Sequence, residues 1–262
     1  MCGRYASARK RQELLEEFQV QADHVATPLE PDYNVAPTKR IYAVLERREH
    51  AADGPDDTTD EPVTRQLRVL RWGLVPSWAK DPSLGSKLIN ARAETVAVKP
   101  AFRRAFARRR CLLPADGYYE WQATGEGSAR TRKQPFFISP LGGDILAMAG
   151  LYELWRVPDM PAGHPDAWLW TASIITTRAT DGLGHIHDRM PMVIAREHWA
   201  RWLDSSHSSR SEPSDLLVPA ASMGLGARPV SLDVGDVRNN GPELIAPVSP
   251  GEDPSEATAS LF

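Results

Sequence analysis

The sequence predicts a single α+β domain organised around an antiparallel sheet. Three observations carry that prediction. Short runs rich in β-branched and aromatic residues recur along the chain, helical periodicity is confined to brief stretches, and β-α-β alternation is missing.

In chain order, Ser7 to Val20 places Leu14, Leu15 and Phe18 on one side of a helical wheel, which predicts an amphipathic helix capped near Ser7. Pro28, Pro31 and Pro37 then hold an irregular loop containing Tyr33-Asn34-Val35-Ala36-Pro37-Thr38. Ile41 to Leu45 reads as a strand, residues 49–62 as a disordered acidic hairpin loop, and Leu67 to Trp72 as the returning strand. A helix carrying five arginines in eight positions (Arg103, Arg104, Arg108, Arg109, Arg110) follows the segment Leu88 to Thr95. Such a run is ordinarily a solvated helix face, and it could also track a nucleic-acid backbone. Further strands are expected at 111–114, 117–121, 135–139, 145–154 and 168–176, with short helices at 177–183 and 197–203. Residues 205–214 read as a polar linker. The domain is therefore placed at 2–248, with a disordered tail at 249–262.

Charge and cysteine content narrow the class. Residues 49–62 sum to −6 and the tail to −3, so the rest of the chain carries +6 against an overall −3. A positive body with acidic appendages is compatible with a polyanion partner, though the signal is weak. No apolar run is long enough for a membrane-spanning helix and no secretory h-region opens the chain, so a soluble cytoplasmic protein is expected. Two cysteines, Cys2 and Cys111, make no disulfide framework and lie in no metal-ligand spacing.

The N-terminus is where chemistry concentrates. Removal of Met1 would leave Cys2 with a free α-amine beside its thiol, an arrangement no internal cysteine can offer. An aldehyde condenses with such an amine to an imine, and the thiol then closes a thiazolidine ring. With ordinary pKa values near ~8 for the amine and ~8.5 for the thiol, modest local tuning activates both. Three more segments place polar groups in apolar, strand-like context: Asn90-Ala91-Arg92-Ala93-Glu94, Gly117-Tyr118-Tyr119-Glu120-Trp121 and His185-Ile186-His187-Asp188-Arg189. Taken singly, each is ordinary: Glu120 could be a solvent-facing strand residue, His187 a structural hydrogen-bonder, Trp72 sheet core and Cys111 a buried small hydrophobe. The spacing His185-x-His187 has no third metal ligand nearby.

Taken in order, Met1-Cys2-Gly3-Arg4-Tyr5, Tyr33-Asn34-Val35-Ala36-Pro37, Arg71 to Trp78, Ile89 to Thr95, Asp116 to Trp121, His187-Asp188-Arg189-Met190-Pro191 and Val237-Arg238-Asn239-Asn240 resemble the SRAP family, the SOS-response-associated peptidase domain. The resemblance spans nearly the whole chain. It implies a twisted, barrel-like, mostly antiparallel sheet with flanking helices. It also implies a DNA-damage function, the covalent capture of abasic sites in single-stranded DNA through Cys2 as a thiazolidine crosslink. The peptidase label would refer to self-processing that exposes Cys2.

By the same resemblance Cys2, Asn90, Glu120 and His187 are the catalytic set. Asn90 orients the amine or the sugar, Glu120 is an acid/base group beside Cys2, and His187 shuttles a proton during ring opening or reversal, with lyase-like turnover an open question. Arg4, Asn34, Pro37, Trp78 and Arg92 are the expected DNA contacts, with arginines on phosphates and Pro37 and Trp78 as an apolar wedge. Ala79 stands where some members carry a second aromatic, so the wedge is expected to be small. No metal or organic cofactor is implied, and a monomer partnered with single-stranded DNA is expected, nucleoid-associated when bound. Two other classes remain open on sequence: a cysteine peptidase acting in trans, with His187 as base, and a non-covalent DNA-binding module with Cys2 merely structural.

Overall fold

The computed structural model describes residues 2–48, 62–124, 132–161, 163–164, 166–180, 182–204, 213–217 and 224–248. Its strands are β1 (Tyr5–Ser7), β2 (Ala22–Asp23), β3 (Asp32–Val35), β4 (Arg40–Arg48), β5 (Val63–Trp72), β6 (Asn90–Arg92), β7 (Arg110–Ala115), β8 (Gly117–Thr124), β9 (Arg132–Pro140), β10 (Leu146–Arg156), β11 (Trp168–Arg178), β12 (Arg189–Pro191) and β13 (Leu225–Pro229). Among the described residues three short α-helices accompany them: α1 (Arg11–Glu17), α2 (Arg103–Arg108) and α3 (Trp199–Leu203).

The architecture is the expected α+β fold with a barrel at its centre. β5, β4, β7, β10 and β11 pair in that order, each antiparallel to the next, and β11 returns to β5 to close the ring. An odd ring cannot alternate direction throughout, so one seam must be parallel; here it is β11–β5, through Thr171↔Arg71 and Ala172↔Trp72. Alternation along each strand then separates two cores. Ile41, Ala43 and Leu45 of β4 belong to the same packed cluster as Leu70 and Trp72, while Tyr42 and Val44 join a second cluster with the buried residues of the three helices.

A second sheet, in the order β13-β9-β8-β1-β3, packs one face against the first cluster by contributing Cys2, Tyr5, Tyr118 and Ile138. Its other face carries Ala6, Tyr119 and Phe137 and is covered by Val230, Val234 and Leu244. Gly117 makes the β8–β9 approach possible. A Cβ there would stand 2.4 Å from the Phe137 ring and 2.6 Å from the Ile138 carbonyl oxygen, so Gly117→Ala is expected to cost about 3 kcal/mol by overpacking, read as a lowered Tm.

Several boundaries differ from the sequence expectation. The first helix begins at Arg11, not Ser7, because Ser7 is spent in β1 opposite Asp32 and the Ala8 N–H donates to the Asp116 carboxylate (2.6 Å). It ends before Gln19, whose φ of 52° leaves the helical region. The helix expected at 177–183 is absent: Thr177 and Arg178 extend β11 by pairing with Met190 and Arg189, and only a 3-10 turn at Leu183–His185 follows. The arginine run splits. Arg103, Arg104 and Arg108 are exposed on α2, whereas Arg110 is buried in β7 and donates to the carbonyls of Trp202, Phe106 and Ala107. It caps helix ends as a strut and is not part of a solvated face. Residues 49–61, most of the linker at 205–214 and the tail lie outside the described residues; β4 and β5 do flank the acidic segment as an antiparallel pair, Arg48 opposite Val63.

Candidate active site

Four of the expected residues converge where the second sheet meets the barrel. Cys2 precedes β1 and is fully buried, its thiol aimed weakly at the Arg4 carbonyl oxygen (4.0 Å). β6 lies parallel to β11, with Asn90 opposite Ile174, and this places the Asn90 side chain where its Nδ2 donates to the Cys2 carbonyl oxygen at 2.7 Å. Trp72 secures that geometry from inside the barrel by donating its indole N–H to the Ile89 carbonyl (3.0 Å) and packing edge-on against Tyr5. It is core, as its sequence context suggested, and it also fixes the neighbour of Asn90.

Glu120 reaches the cluster from β8. Because side chains alternate, only Tyr118 shares its face; Tyr119 points to the opposite core and donates to the Tyr33 carbonyl (2.7 Å), and Trp121 goes with it. Of the three aromatics beside Glu120 in the sequence, Tyr118 is therefore the one that shares its face. The carboxyl is 3% exposed, and burial pushes it above the ordinary carboxylate range against the opposing pull of His187. Burial, reinforced by Glu120, likewise holds the Cys2 thiol far above its usual range, so the resting group is a thiol and not a thiolate.

The Glu120 result has a stability consequence. The carboxyl is raised when folded and near 4.5 when unfolded, so the folded state binds more protons in that window and stability falls as pH rises through it. Glu120→Gln is expected to melt higher than the parent, with a gap that widens from pH 4.5 to pH 8. Thermal melts at both pH values check this, and a constant gap would contradict it.

His187 follows the 3-10 turn at Leu183–His185. Its Nδ1 accepts the Arg189 backbone N–H (2.9 Å) and lies 3.1 Å from the Asp188 carboxylate. Arg189 pins this loop to the Asn90 segment by gripping Glu94 with both guanidinium nitrogens (2.5 and 3.0 Å) and donating to the Thr176 carbonyl (2.6 Å). Arg189→Ala should therefore release the His187 loop at a cost of about 2 kcal/mol, seen as a lower denaturation midpoint. Sequence reading missed this role because Glu94 and Arg189 lie 95 positions apart; their presence in two of the quoted motifs was the available signal. Asp116, which holds Ala8 and Arg9, was missed for the same reason.

The expected DNA contacts are placed less uniformly. Arg4 sits half-buried, with Nη1 donating to Asn34 Oδ1 (2.7 Å) and the Val234 carbonyl (2.8 Å) and its guanidinium 5.9 Å from the Trp121 ring centre. Asn34 is wholly buried and its Nδ2 is spent on the carbonyls of Val234, Asp236 and Asn239. Asn240 bonds the chain on either side of Asp32, through Tyr33 N–H and the Pro31 carbonyl, so the last quoted motif folds back on the second. Pro37 is half-buried next to Thr38, whose N–H donates to the Trp72 carbonyl (2.9 Å). Arg92 is exposed at the end of β6, and Trp78 is 57% exposed on a loop held by the Trp155 indole donating to the Ala79 carbonyl (2.7 Å). Among the described residues no hydrogen bond joins Trp78 or Arg92 to the Cys2 cluster, and no group of three potential metal ligands occurs.

The buried Cys2 thus stands beside an amide, a carboxyl and an imidazole at the rim of a closed mixed barrel. The family model described as SOS response associated peptidase (SRAP) matches residues 1–237, and the chain belongs to that family. Among curated relatives, the abasic site processing protein YoaM of Bacillus subtilis is 36% identical, over 94% of this chain and 97% of the relative. The abasic site processing protein YedK of Escherichia coli is 32% identical over 95% and 100%, and the abasic site processing protein HMCES of Gallus gallus 34% over 88% and 70%. A crystal structure of a protein from Bacteroides thetaiotaomicron superposes with a TM-score of 0.74 at 26% identity, covering 95% of this chain and all of that one.

Proposed function

We propose that this chain processes abasic sites in DNA, and that it does so by covalent capture on single strands through Cys2 once Met1 has been removed. The observation that carries the reading is the Asn90 bond to the Cys2 carbonyl, which holds the first residue of the processed chain against Glu120. The names of the relatives support the DNA substrate.

In the proposed sequence, the open-chain aldehyde of the abasic site meets the Cys2 amine. As the furanose opens, its C1–O bond breaks, the ring oxygen gains a proton and the anomeric hydroxyl gives one up, and the His187 imidazole shuttles that proton between them. Glu120, whose carboxyl burial pushes up, delivers a proton to the hydroxyl that leaves as water when the imine forms, and its carboxylate then takes the thiol proton as the ring closes. Asn90 fixes the residue that bears both reacting groups, which reduces the entropy cost of closure. Arg4, buttressed by Asn34, and the exposed Arg92 meet phosphates beside the lesion, and Trp78 and Pro37 stack on flanking bases at roughly 1–3 kcal/mol per base. Asn34 thus serves DNA through Arg4.

A peptidase acting in trans would need a depressed thiol pKa, whereas with Met1 in place burial raises that of Cys2. The test is a denaturing gel of Met1-processed protein with a single-stranded oligonucleotide carrying one abasic site. A heat-stable shifted band is expected with the processed protein and not with a variant that retains Met1. No band with the processed protein would defeat the reading.

A further inference from the structure

The Tyr118 hydroxyl is buried and makes no hydrogen bond among the described residues. Leaving a phenol in that state costs about 1–3 kcal/mol, and native cores rarely tolerate it without a use. The next residue on the same strand sets the contrast: the Tyr119 hydroxyl has found the Tyr33 carbonyl. Tyr118 packs in one cluster with Cys2 and Tyr5, opposite Tyr5 in the β1–β8 pairing, and shares the face of β8 that carries Glu120. A second buried atom of the site is also unsatisfied, Asn90 Oδ1, whose amide partner Nδ2 is the group holding Cys2. Around Cys2, a hydroxyl that can donate and a carbonyl oxygen that can accept are therefore both unspent.

We propose that Tyr118 is a further catalytic residue of the capture reaction, its hydroxyl donating a hydrogen bond to the Cys2 sulfur as the thiazolidine ring closes. The inference rests on the capture reading above. In ring closure the sulfur's electron pair forms the C–S bond to the protonated imine carbon. The S–H proton passes to the Glu120 carboxylate, and the C=N π pair moves to nitrogen, leaving a neutral ring N–H. Negative charge gathers on sulfur as its proton departs, in a pocket where burial opposes charge. Among the described residues the sulfur's hydrogen-bond contact is the long one to the Arg4 carbonyl, which cannot stabilise an anion. A donor is needed there, and burial, with Cys2 and Glu120 nearby, keeps the Tyr118 hydroxyl protonated.

The test compares Tyr118→Phe with the parent, both full-length and Met1-processed, on the abasic single strand. Samples are split at each time point with and without borohydride, which traps the imine as an amine and leaves the thiazolidine intact. Tyr118→Phe is expected to form imine at the parent rate and to close the ring about ten- to a hundred-fold more slowly, the loss that follows removal of a hydrogen bond to a charged group. Its Tm should equal or exceed the parent's, because no hydrogen bond is lost. Ring closure at the parent rate would overturn the proposal, as would a Tm drop with an unchanged imine-to-ring ratio, which is what a structural hydroxyl gives. If the parent itself forms no adduct of either kind, the capture reading fails and this proposal with it.

Discussion

Cys2→Ala, processed to expose its own α-amine, is expected to form no heat-stable DNA adduct and yet to give one that borohydride traps. Alanine keeps the amine that attacks the aldehyde and loses the sulfur that closes the ring, so the reaction stops at the reversible imine. The residue is wholly buried in the cluster with Tyr5 and Trp72, and deleting one sulfur there costs about 1 kcal/mol. The variant should therefore fold, and its lost crosslink reports chemistry. A denaturing gel run with and without borohydride separates the outcomes. A heat-stable band from Cys2→Ala without reductant would place the linkage on another residue. A non-covalent binding module would show unchanged DNA affinity and no trapped species for parent or variant.

Asn34→Ala is expected to have the largest effect on stability. Its side chain, itself fully buried, joins β3 to the segment 234–239, accepting from Arg4 and donating to three carbonyls. Truncation leaves an arginine and three carbonyls short of a partner at once. Each such loss is worth about 1–3 kcal/mol, and a combined cost of about 4 kcal/mol is expected. For a domain of this size that lowers Tm by roughly 10 °C. DNA binding should weaken with it, because Arg4 loses the group that aims it. A variant that melts like the parent but binds DNA poorly would instead make Asn34 a direct contact.

How much of this was legible in the sequence follows from the range of the interactions. β4, β5 and β7 to β11 announce themselves through local composition, since a strand buried on both sides reads as a near-continuous apolar run; β10 from Leu146 to Trp155 is buried throughout. Barrel closure was not readable from composition, because the Thr171↔Arg71 seam joins residues a hundred positions apart and leaves no local trace. The family resemblance supplied it. Ser7 misled because a good capping residue was recruited by β1, and Thr177 because pairing with Met190 overrode a weak helical pattern. In the site, Cys2, Asn90, Glu120 and His187 could be named from their motifs. Strand alternation sends Tyr118 and Tyr119 to opposite cores, which the run of aromatics around Glu120 in the sequence obscures, and that only one of their hydroxyls is satisfied leaves no local trace.

The central claim is that both groups of Cys2 end in one ring. Its most direct test is intact and tandem mass spectrometry of the processed protein with a single-stranded abasic oligonucleotide, before and after borohydride and a thiol-alkylating reagent. The expected species has the mass of protein plus oligonucleotide less one water, maps to Cys2, gains no hydrogen on reduction and leaves that sulfur unalkylated. An adduct that borohydride reduces, that still exposes an alkylatable Cys2 thiol, or that maps to a lysine would contradict it.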